Sequence, residues 1–202
     1  KYLNRKEMMS TGNGNKNPTV VHRKIAFLGF RAVGKSSIVN SYVTGTFSDA
    51  YDPTIESTHT RTIRFRRVHF STDIVDTAGM DEFSRLSRNA SLGVHGYALV
   101  FSVASRQSFE MIEQVNGALL NSLGDLPEVP RVLVGTKKDM KESRQVSAAD
   151  AQKLADSWGV PYIECSSKTG EKVADVFHML LKEVEADDGL LVENEEGGCA
   201  IS

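Results

Sequence analysis

Residues 29–36 read GFRAVGKS, in which a glycine and four further residues precede Gly34, Lys35 and Ser36. This spacing fits the pattern G-x-x-x-x-G-K-[ST], a loop whose backbone N–H groups surround phosphate oxygens. The loop lies between an apolar run and a helix-like stretch, so the positive end of that helix would face a bound phosphate. We expect the Lys35 ammonium to contact the outer phosphates and the Ser36 hydroxyl to bind Mg²⁺. The alternative is a chance match to a permissive pattern.

A second motif, D-x-x-G, follows the apolar run FSTDIVD, with Asp76 at the end of that run and Gly79 three residues later. A carboxylate at a strand end can hold Mg²⁺ directly or through water. The N–H group of Gly79 can approach a terminal phosphate because glycine has no side chain to obstruct it. The motif is unspecific alone, but its position about 40 residues after the phosphate loop strengthens the assignment.

Two further loops indicate which base is bound. The sequence TKKD, residues 136–139, follows the apolar run RVLVG, and the Asp139 carboxylate can accept hydrogen bonds from guanine N1–H and N2–H₂. Adenine offers neither donor in that arrangement, so it would leave the carboxylate unpaired. Residues 165–168, CSSK, follow PYIE and can present backbone N–H groups to guanine O6. An ordinary strand-to-helix turn, where Thr and Asp are common, is the alternative for TKKD.

On these motifs, which occur in order over residues 23–186, the chain resembles the Ras-superfamily small GTPases. Within the superfamily it is most similar to the Rheb subgroup, because of Arg31 in the phosphate loop and the stretches YDPTIEST and DTAGMDEFS. The resemblance implies that Phe47 packs edge-on against guanine and that Tyr51 lies over the phosphates. It also implies that Thr54 completes Mg²⁺ coordination only in the triphosphate state, and that the Lys137 stem lines the base. Ordinary core packing is the alternative for Phe47.

The expected site therefore has three sets of residues. The nucleotide-binding set is Arg31, Ala32, Val33, Gly34, Lys35, Ser36, Ser37, Phe47, Tyr51, Thr54, Gly79, Thr136, Lys137, Asp139, Ser166, Ser167 and Lys168. The metal set is Ser36, Thr54 and, through water, Asp76, and the catalytic set is Lys35, Thr54, Gly79 and Met80. Many relatives carry Asn where this chain has Thr136; that Asn ties loops together more than it reads the base, and Thr occurs there in Rho-type relatives.

Met80 and Arg31 depart from the usual superfamily pattern. Relatives usually have Gln at the position of Met80, where it orients the attacking water, and a thioether is a weak acceptor and no donor. We therefore expect slow hydrolysis; alternatively, Met80 fills an apolar surface pocket and another group orients the water. Arg31 stands where a small residue usually leaves room for an activator's arginine finger, so it should obstruct such a finger. We expect Arg31 to point outward, and a built-in finger is the alternative.

The apolar runs KIAFLGF, FSTDIVD, YALVFSV, RVLVG and PYIEC suit strands buried on both faces of a sheet, and helical patterns alternate with them. The stretch HTRTIRFRRVHFSTDIV alternates in polarity and predicts a hairpin with one antiparallel strand. We predict an α/β fold of the P-loop NTPase type, a Ras-like G domain with a six-stranded, mostly parallel sheet and about five helices. A capping box at residues 147–150 opens one helix, and a last helix buries one apolar stripe of Val173, Val176, Phe177, Leu180, Leu181 and Val184.

Composition bounds the remaining properties. The formal net charge of −2 gives no basic field for nucleic acid, and the two cysteines have no zinc or disulfide spacing, which fits a reducing compartment. We expect a monomer with a flexible N-terminal extension at residues 1–22, a nucleotide-binding domain at residues 23–186, and an acidic flexible tail at residues 187–202. We expect Cys165 to be a small core residue.

The last four residues, Cys199-Ala200-Ile201-Ser202, fit the C-a-a-X prenylation motif, and the final Ser favours a farnesyl group on Cys199. From Glu183 onward the chain has acidic residues, among them Glu185, and no Lys or Arg. One lipid chain alone gives marginal membrane binding, and anionic lipid repels an acidic tail. We therefore expect a cytoplasmic protein attached loosely to the cytoplasmic face of endomembranes.

The predicted function is a GTP/GDP-dependent signalling switch with slow, activator-dependent GTP hydrolysis. Residues 51–57 and 76–88 would contact an effector and a GTPase-activating protein, because their order depends on the γ-phosphate. The Rheb resemblance implies a TOR-kinase-type effector and a tuberin-type activator that supplies an asparagine. One alternative is a constitutively GTP-loaded binding module with negligible hydrolysis. Another is an ATP-using small-molecule kinase, against which TKKD argues.

Overall fold

The structure, a computed structural model, describes residues 20–50, 53–66, 68–81, 86–124 and 129–187 of the 202-residue chain. Within these residues the chain forms six strands: β1 (Val20–Gly29), β2 (Glu56–Phe65), β3 (Val68–Thr77), β4 (Gly96–Ser102), β5 (Arg131–Thr136) and β6 (Tyr162–Glu164). It also forms five α-helices: α1 (Lys35–Thr44), α2 (Arg88–Ser91), α3 (Arg106–Leu123), α4 (Ala148–Trp158) and α5 (Val173–Asp187). In the same ranges, no helix is long and apolar enough to cross a membrane.

The six strands form one sheet in the order β2-β3-β1-β4-β5-β6. All neighbours pair in parallel except β2 and β3, which form an antiparallel hairpin from Glu56 opposite Thr77 to Phe65 opposite Val68. The predicted fold class is therefore confirmed, including the single antiparallel strand. Because the strands are parallel, the loops after β1, β3, β5 and β6 emerge at one edge of the sheet, where ligands bind in such folds.

Helices cover both faces of the sheet, which is why the central strands are apolar without alternation. One face carries a core cluster that includes Ile38 of α1 and Phe177 of α5. The other face carries a cluster that includes Ala90 of α2, Ile112 of α3 and Ala151 of α4. The predicted apolar stripe of the last helix is confirmed, since all six of its residues are buried: Val173, Val176, Phe177, Leu180, Leu181 and Val184.

Two details at the ends of the fold correct the sequence interpretation. β1 begins at Val20, which pairs with His69, so residues 20–22 belong to the sheet and not to the N-terminal extension. The polar His22 and Arg23 interrupt the apolar run and hide this part of the strand. Glu185 is not a solvated acid of the tail, because its carboxylate accepts hydrogen bonds from Arg23 Nε at 2.6 Å and Nη2 at 3.1 Å in the protein interior.

Candidate functional site

The phosphate loop joins β1 to α1 and packs against β4. A Cβ atom at Gly29 would lie 2.1 Å from the carbonyl oxygen of Val100, so only glycine fits there. Gly34 caps α1 with φ 105°, a left-handed conformation that glycine adopts without strain, and it forms no side-chain capping bond. The first N–H groups of a helix have no partner within the helix. The start of α1 can therefore accept an anion, as predicted from the motif.

Lys35 follows Gly34 in this loop, and its buried side chain folds back across the loop. Its Nζ donates hydrogen bonds to the carbonyl oxygens of Gly29 and Phe30, each at 3.0 Å. Burial lowers the pKa of Lys35 to about 8, although the negative charge of Asp76 acts in the opposite direction. A cation held this way is a point charge available to phosphate oxygens.

The three residues predicted to hold Mg²⁺ come together at the edge of the sheet. The hydroxyl oxygens of Ser36 and Thr54 lie 2.7 Å apart, close to the spacing of about 2.9 Å between adjacent ligands of an octahedral Mg²⁺ ion. Asp76 Oδ1 is buried and has no hydrogen-bond partner among the residues that the structure describes. Burial raises the pKa of Asp76, and a hydrogen bond from Ser36 and the charges of Lys35 and His59 oppose that shift. These oxygen donors fit the preference of Mg²⁺ for hard ligands.

Gly79 and Met80 follow β3 and lie directly beside the phosphate loop. A Cβ atom at Gly79 would lie 2.5 Å from Arg31 Cα, which explains the glycine, and the Met80 N–H group donates to the Gly29 carbonyl at 3.0 Å. The Met80 side chain is 5% exposed and packs in the core cluster on the α3 face. Met80 is therefore a core residue and does not fill a surface pocket, and its buried thioether offers no hydrogen-bond donor to a water molecule.

Arg31 is exposed, and its guanidinium lies 5.3 Å from the centre of the Phe30 ring. The side chain therefore stacks on an aromatic residue of its own loop, a favourable contact for a guanidinium. This outward orientation agrees with the expectation from the sequence, and it places the guanidinium at a cavity of about 430 Å³ that Lys137 and Met140 also line.

The loops after β5 and β6 lie against each other and against the phosphate loop. Ser166 Oγ donates a hydrogen bond of 2.6 Å to Asp139 Oδ1, and the Lys138 N–H group donates to the Cys165 carbonyl at 3.2 Å. The Thr136 hydroxyl lies within hydrogen-bonding distance of the carbonyl oxygens of Val33 and Phe101. Thr136 therefore connects loops, the role that the resemblance implies for Asn in relatives.

Lys137 has φ 59°, and its Nζ donates to the Ala32 carbonyl at 2.9 Å, so its stem runs along the phosphate loop. Phe47 follows α1 and is 38% exposed, which argues against the core alternative. Ser37 and Ser167 are partly buried beside these loops, and Lys168 is exposed. Tyr51 and Cys199 lie outside the described residues.

Some contacts in the site had no signal in the sequence analysis. Ser166 was expected to contribute backbone N–H groups, whereas its hydroxyl orients the Asp139 carboxylate. Cys165 is fully buried, and burial raises the pKa of its thiol to about 12, so it is the inert core residue that we expected. Ser166 and Asp139 lie in different loops, so no local pattern in the sequence could identify this contact.

Comparisons with known proteins agree with this geometry. Residues 24–186 match the model of the Ras family. The GTP-binding protein Rheb homolog of Dictyostelium discoideum is 42% identical over 180 residues, which cover 89% of this chain and 97% of that protein. The GTP-binding protein Rheb of Homo sapiens is 42% identical over 184 residues, which cover 91% and 99%. The GTP-binding protein rhb1 of Schizosaccharomyces pombe is 41% identical over 180 residues, which cover 89% and 97%. The chain therefore belongs to the Ras family of small GTPases and, within it, to the Rheb subgroup.

Proposed function

We propose that this chain is a GTP/GDP-dependent signalling switch that hydrolyses GTP slowly. The observation that carries the proposal is the meeting, at one sheet edge, of a phosphate loop, a set of oxygen donors suited to Mg²⁺ and a carboxylate suited to guanine. The 2.7 Å separation of the Ser36 and Thr54 hydroxyl oxygens and the 2.6 Å bond from Ser166 to Asp139 support it most directly.

The triphosphate binds along the phosphate loop. N–H groups of the loop and of the start of α1 donate to phosphate oxygens, and the Lys35 ammonium leaves the carbonyls of Gly29 and Phe30 for the outer phosphates. Ser36 and Thr54 would hold Mg²⁺ through their hydroxyls, and Asp76 would hold it through water. An Mg²⁺ ion held by these residues would supply positive charge that stabilises the phosphate oxygens during hydrolysis.

Guanine is selected by Asp139. Its carboxylate accepts hydrogen bonds from N1–H and N2–H₂, and the hydroxyl of Ser166 holds one carboxylate oxygen in place. N–H groups of residues 166–168 donate to O6, Phe47 packs edge-on against the base, and the stem of Lys137 lines the base. Adenine would give this partly buried carboxylate no donor from the base, which is a strong basis for discrimination.

In the hydrolysis step, water attacks the γ-phosphorus, the bond to the bridging oxygen of GDP breaks, and phosphate leaves. Catalysis of this step is almost entirely positioning and charge stabilisation, and intrinsic rates on the order of 10⁻⁴ s⁻¹ are typical even with a Gln beside the site. The buried thioether of Met80 cannot orient water by hydrogen bonding. Intrinsic turnover is therefore slow, and an activating protein raises it.

The switch arises because Thr54 and Gly79 each contact groups that depend on the γ-phosphate. Loss of this phosphate loosens residues 51–57 and 76–88, which form the surface for effectors and for the activating protein. Ile55 in this surface is 89% exposed, a large apolar side chain available to a partner. A TOR-kinase-type effector and a tuberin-type activator remain predictions from the resemblance.

A farnesyl group on Cys199 gives loose attachment to endomembranes, because the acidic tail provides no basic patch. The nucleotide-binding domain spans residues 23–186 together with the strand extension from Val20, and the protein acts as a monomer. The lipid, the membrane and the oligomeric state are inferences from sequence.

Single-turnover cleavage of GTP tests this function. The purified chain, loaded with GTP and Mg²⁺, should convert GTP to GDP at or below about 10⁻⁴ s⁻¹, measured by separating the nucleotides over a day. A GDP yield equal to that of protein-free buffer would instead support a GTP-loaded binding module. Thr44→Ala, which changes an exposed hydroxyl at the end of α1, serves as the control.

A further inference from the structure

Glu56 lies in residues 51–57, which we name the first switch segment, and links it to α2, which begins at the end of residues 76–88, the second switch segment. Glu56 begins β2, two residues after Thr54, and its carboxylate accepts hydrogen bonds from the Ser87 hydroxyl and from Asn89 Nδ2, the latter at 3.1 Å. Ser87 is also the N-cap of α2, since its hydroxyl accepts from the Ala90 N–H group at 3.0 Å. One carboxylate therefore contacts both the cap and the first turn of the helix that follows the second switch segment.

The amide of Asn89 lies between two opposite charges. Its Oδ1 accepts from Lys24 Nζ at 2.7 Å, while its Nδ2 donates to Glu56 Oε1 and, at 3.2 Å, to Thr58 Oγ1. The ammonium favours the amide oxygen and the carboxylate favours the amide nitrogen, so both charges select the same orientation. Lys24 Nζ also donates to the Leu92 carbonyl at 3.2 Å, which holds the end of α2 against β1.

We propose that Glu56 and Asn89 are positioning residues that couple the two switch segments. The contact between them, which we name the Glu56–Asn89 link, joins the segment that follows Thr54 to the helix that follows Gly79. In the proposed switch, Thr54 and Gly79 each form a contact that depends on the γ-phosphate. Because the link joins their segments, losing either contact should loosen both segments. This inference rests on the proposed guanine-nucleotide switch and names a coupling that the switch does not require.

Amide hydrogen exchange at residues 53–58 and 86–92 measures the coupling. In the wild type with Mg²⁺ and a non-hydrolysable GTP analogue, both segments should exchange more slowly than with GDP. Thr54→Ala should accelerate exchange about tenfold at residues 53–58 and also at residues 86–92, because the link transmits the change.

Asn89→Asp breaks the link by a change of one functional group. The new carboxylate repels Glu56 but still accepts a hydrogen bond from Lys24, so the contact between α2 and β1 remains. In an Asn89→Asp background, Thr54→Ala should change exchange at residues 53–58 only. Glu56→Ala tests the same point should Asn89→Asp fail to fold, because it removes the carboxylate that accepts from Asn89 Nδ2.

The double variant Glu56→Gln with Asn89→Asp places an amide at position 56 and a carboxylate at position 89. An amide and a carboxylate therefore face each other again, with their positions exchanged. This double variant should recover coupling, which a role in general stability alone does not require. Thr60→Val is the matched control, since Thr60 also lies on β2 but bonds Asp73 of β3 at 2.7 Å. It should leave the coupling unchanged.

Two results would overturn the link. One is that Thr54→Ala accelerates exchange at residues 86–92 equally in the wild-type and Asn89→Asp backgrounds. The other is that Thr54→Ala in the wild-type background changes residues 53–58 alone. If the wild type exchanges identically with GDP and with the GTP analogue, the proposed switch itself fails, and this outcome is distinct from failure of the link.

Discussion

The hydroxyl oxygens of Ser36 and Thr54 lie 2.7 Å apart although 18 positions separate the two residues in the chain. Ser36 belongs to a helix that the phosphate loop fixes, whereas Thr54 belongs to an irregular segment before β2. Their meeting brings that segment onto the phosphate site. The arrangement matches the one that the Ras-family resemblance implies for the triphosphate state, in which both hydroxyls hold the same Mg²⁺ ion.

Thr54→Ala should distinguish the two nucleotide states. If Thr54 is a Mg²⁺ ligand in the triphosphate state alone, as proposed, its loss should weaken binding of a GTP analogue with Mg²⁺ about tenfold and change GDP binding less than twofold. Dissociation rates of fluorescent nucleotides, measured with Mg²⁺ and with a chelator, give both numbers.

Ser36→Ala is the informative comparison for Thr54→Ala. The proposal has Ser36 bind Mg²⁺ with either nucleotide, so Ser36→Ala should weaken the binding of both GDP and the GTP analogue. Thr62→Ala, which alters an exposed residue of β2, should weaken the binding of neither nucleotide. Equal losses of GDP and GTP-analogue binding in Thr54→Ala would contradict the assignment of Thr54 as the state-specific ligand.

The nucleotide loops could be predicted from sequence because each is a contiguous motif whose spacing determines its chemistry. The Lys35 and Asp139 assignments needed only the strand before each loop. The orientation of Met80 could not be predicted, because it depends on packing against residues from α2, α3 and β4. The sequence predicted that the Met80 thioether cannot orient water by hydrogen bonding, but it did not predict that this side chain is buried in the core.

Contacts between distant residues had no sequence signal at all. Glu56 and Asn89 are 33 positions apart, and Arg23 and Glu185 are 162 apart. The start of β1 at Val20 likewise depends on pairing with β3, which a local polarity pattern does not contain. Local motifs therefore predicted the ligand, whereas tertiary contacts determine how the loops that hold it are connected.

Asp139→Asn should change the base that is bound. The Asn amide offers only one acceptor and adds a donor that faces guanine N2–H₂, so GDP affinity should fall at least about a hundredfold. Xanthine has a carbonyl in place of that amine, so affinity for xanthosine diphosphate should rise. Competition binding with the two nucleotides measures both changes.

Ser166→Ala is the control for base selection. It removes the hydroxyl that orients Asp139 but keeps the carboxylate, so GDP binding should weaken about tenfold with guanine still preferred. A Ser166→Ala protein that prefers xanthosine diphosphate, or an Asp139→Asn protein that still prefers GDP, would contradict the role of Asp139.

Met80→Gln should raise the single-turnover rate of GTP cleavage. Burying an unpaired amide in the core cluster is costly, so the Gln side chain turns outward, where it can orient water. The unfolding free energy should fall by about 1 to 3 kcal/mol because apolar burial is lost. Met80→Leu, which keeps the site apolar, should alter neither quantity by much; a Met80→Gln rate equal to wild type would refute this account of slow hydrolysis.

Nucleotide binding should take up protons near pH 8 through Lys35. The pKa of Lys35 in the free protein is about 8, so its ammonium is charged below that pH and increasingly neutral above it. Bound phosphates favour the charged form and raise this pKa, so affinity is highest below pH 8 and falls as pH rises through 8.

At pH 8, uptake should be about half a proton per nucleotide, measured by calorimetry in two buffers with different ionisation enthalpies. Lys35→Met should bind more weakly and abolish this uptake. Equal proton uptake in wild type and Lys35→Met would assign the titration to another group.

Cys199→Ser should release the protein from membranes. The tail offers no basic residue to support attachment, so the proposed lipid on Cys199 would supply the binding energy. Sedimentation of cell membranes should shift the protein to the supernatant, while a variant with Cys165→Ser, altered in the core, serves as the control for cysteine loss alone. If Cys199→Ser sediments with membranes as the wild type does, the proposal that a lipid on Cys199 attaches the protein is wrong.

The central claim is that four loops at one edge of the sheet bind a guanine nucleotide together with Mg²⁺. Equilibrium binding of GDP, GTP, ADP and ATP to the purified chain, with Mg²⁺ and with a chelator, tests it most directly. The account predicts that guanine nucleotides bind at least about a thousandfold more tightly than adenine nucleotides and that chelation of Mg²⁺ accelerates their release. Equal affinity for the two bases, or release that does not depend on the metal, would contradict it.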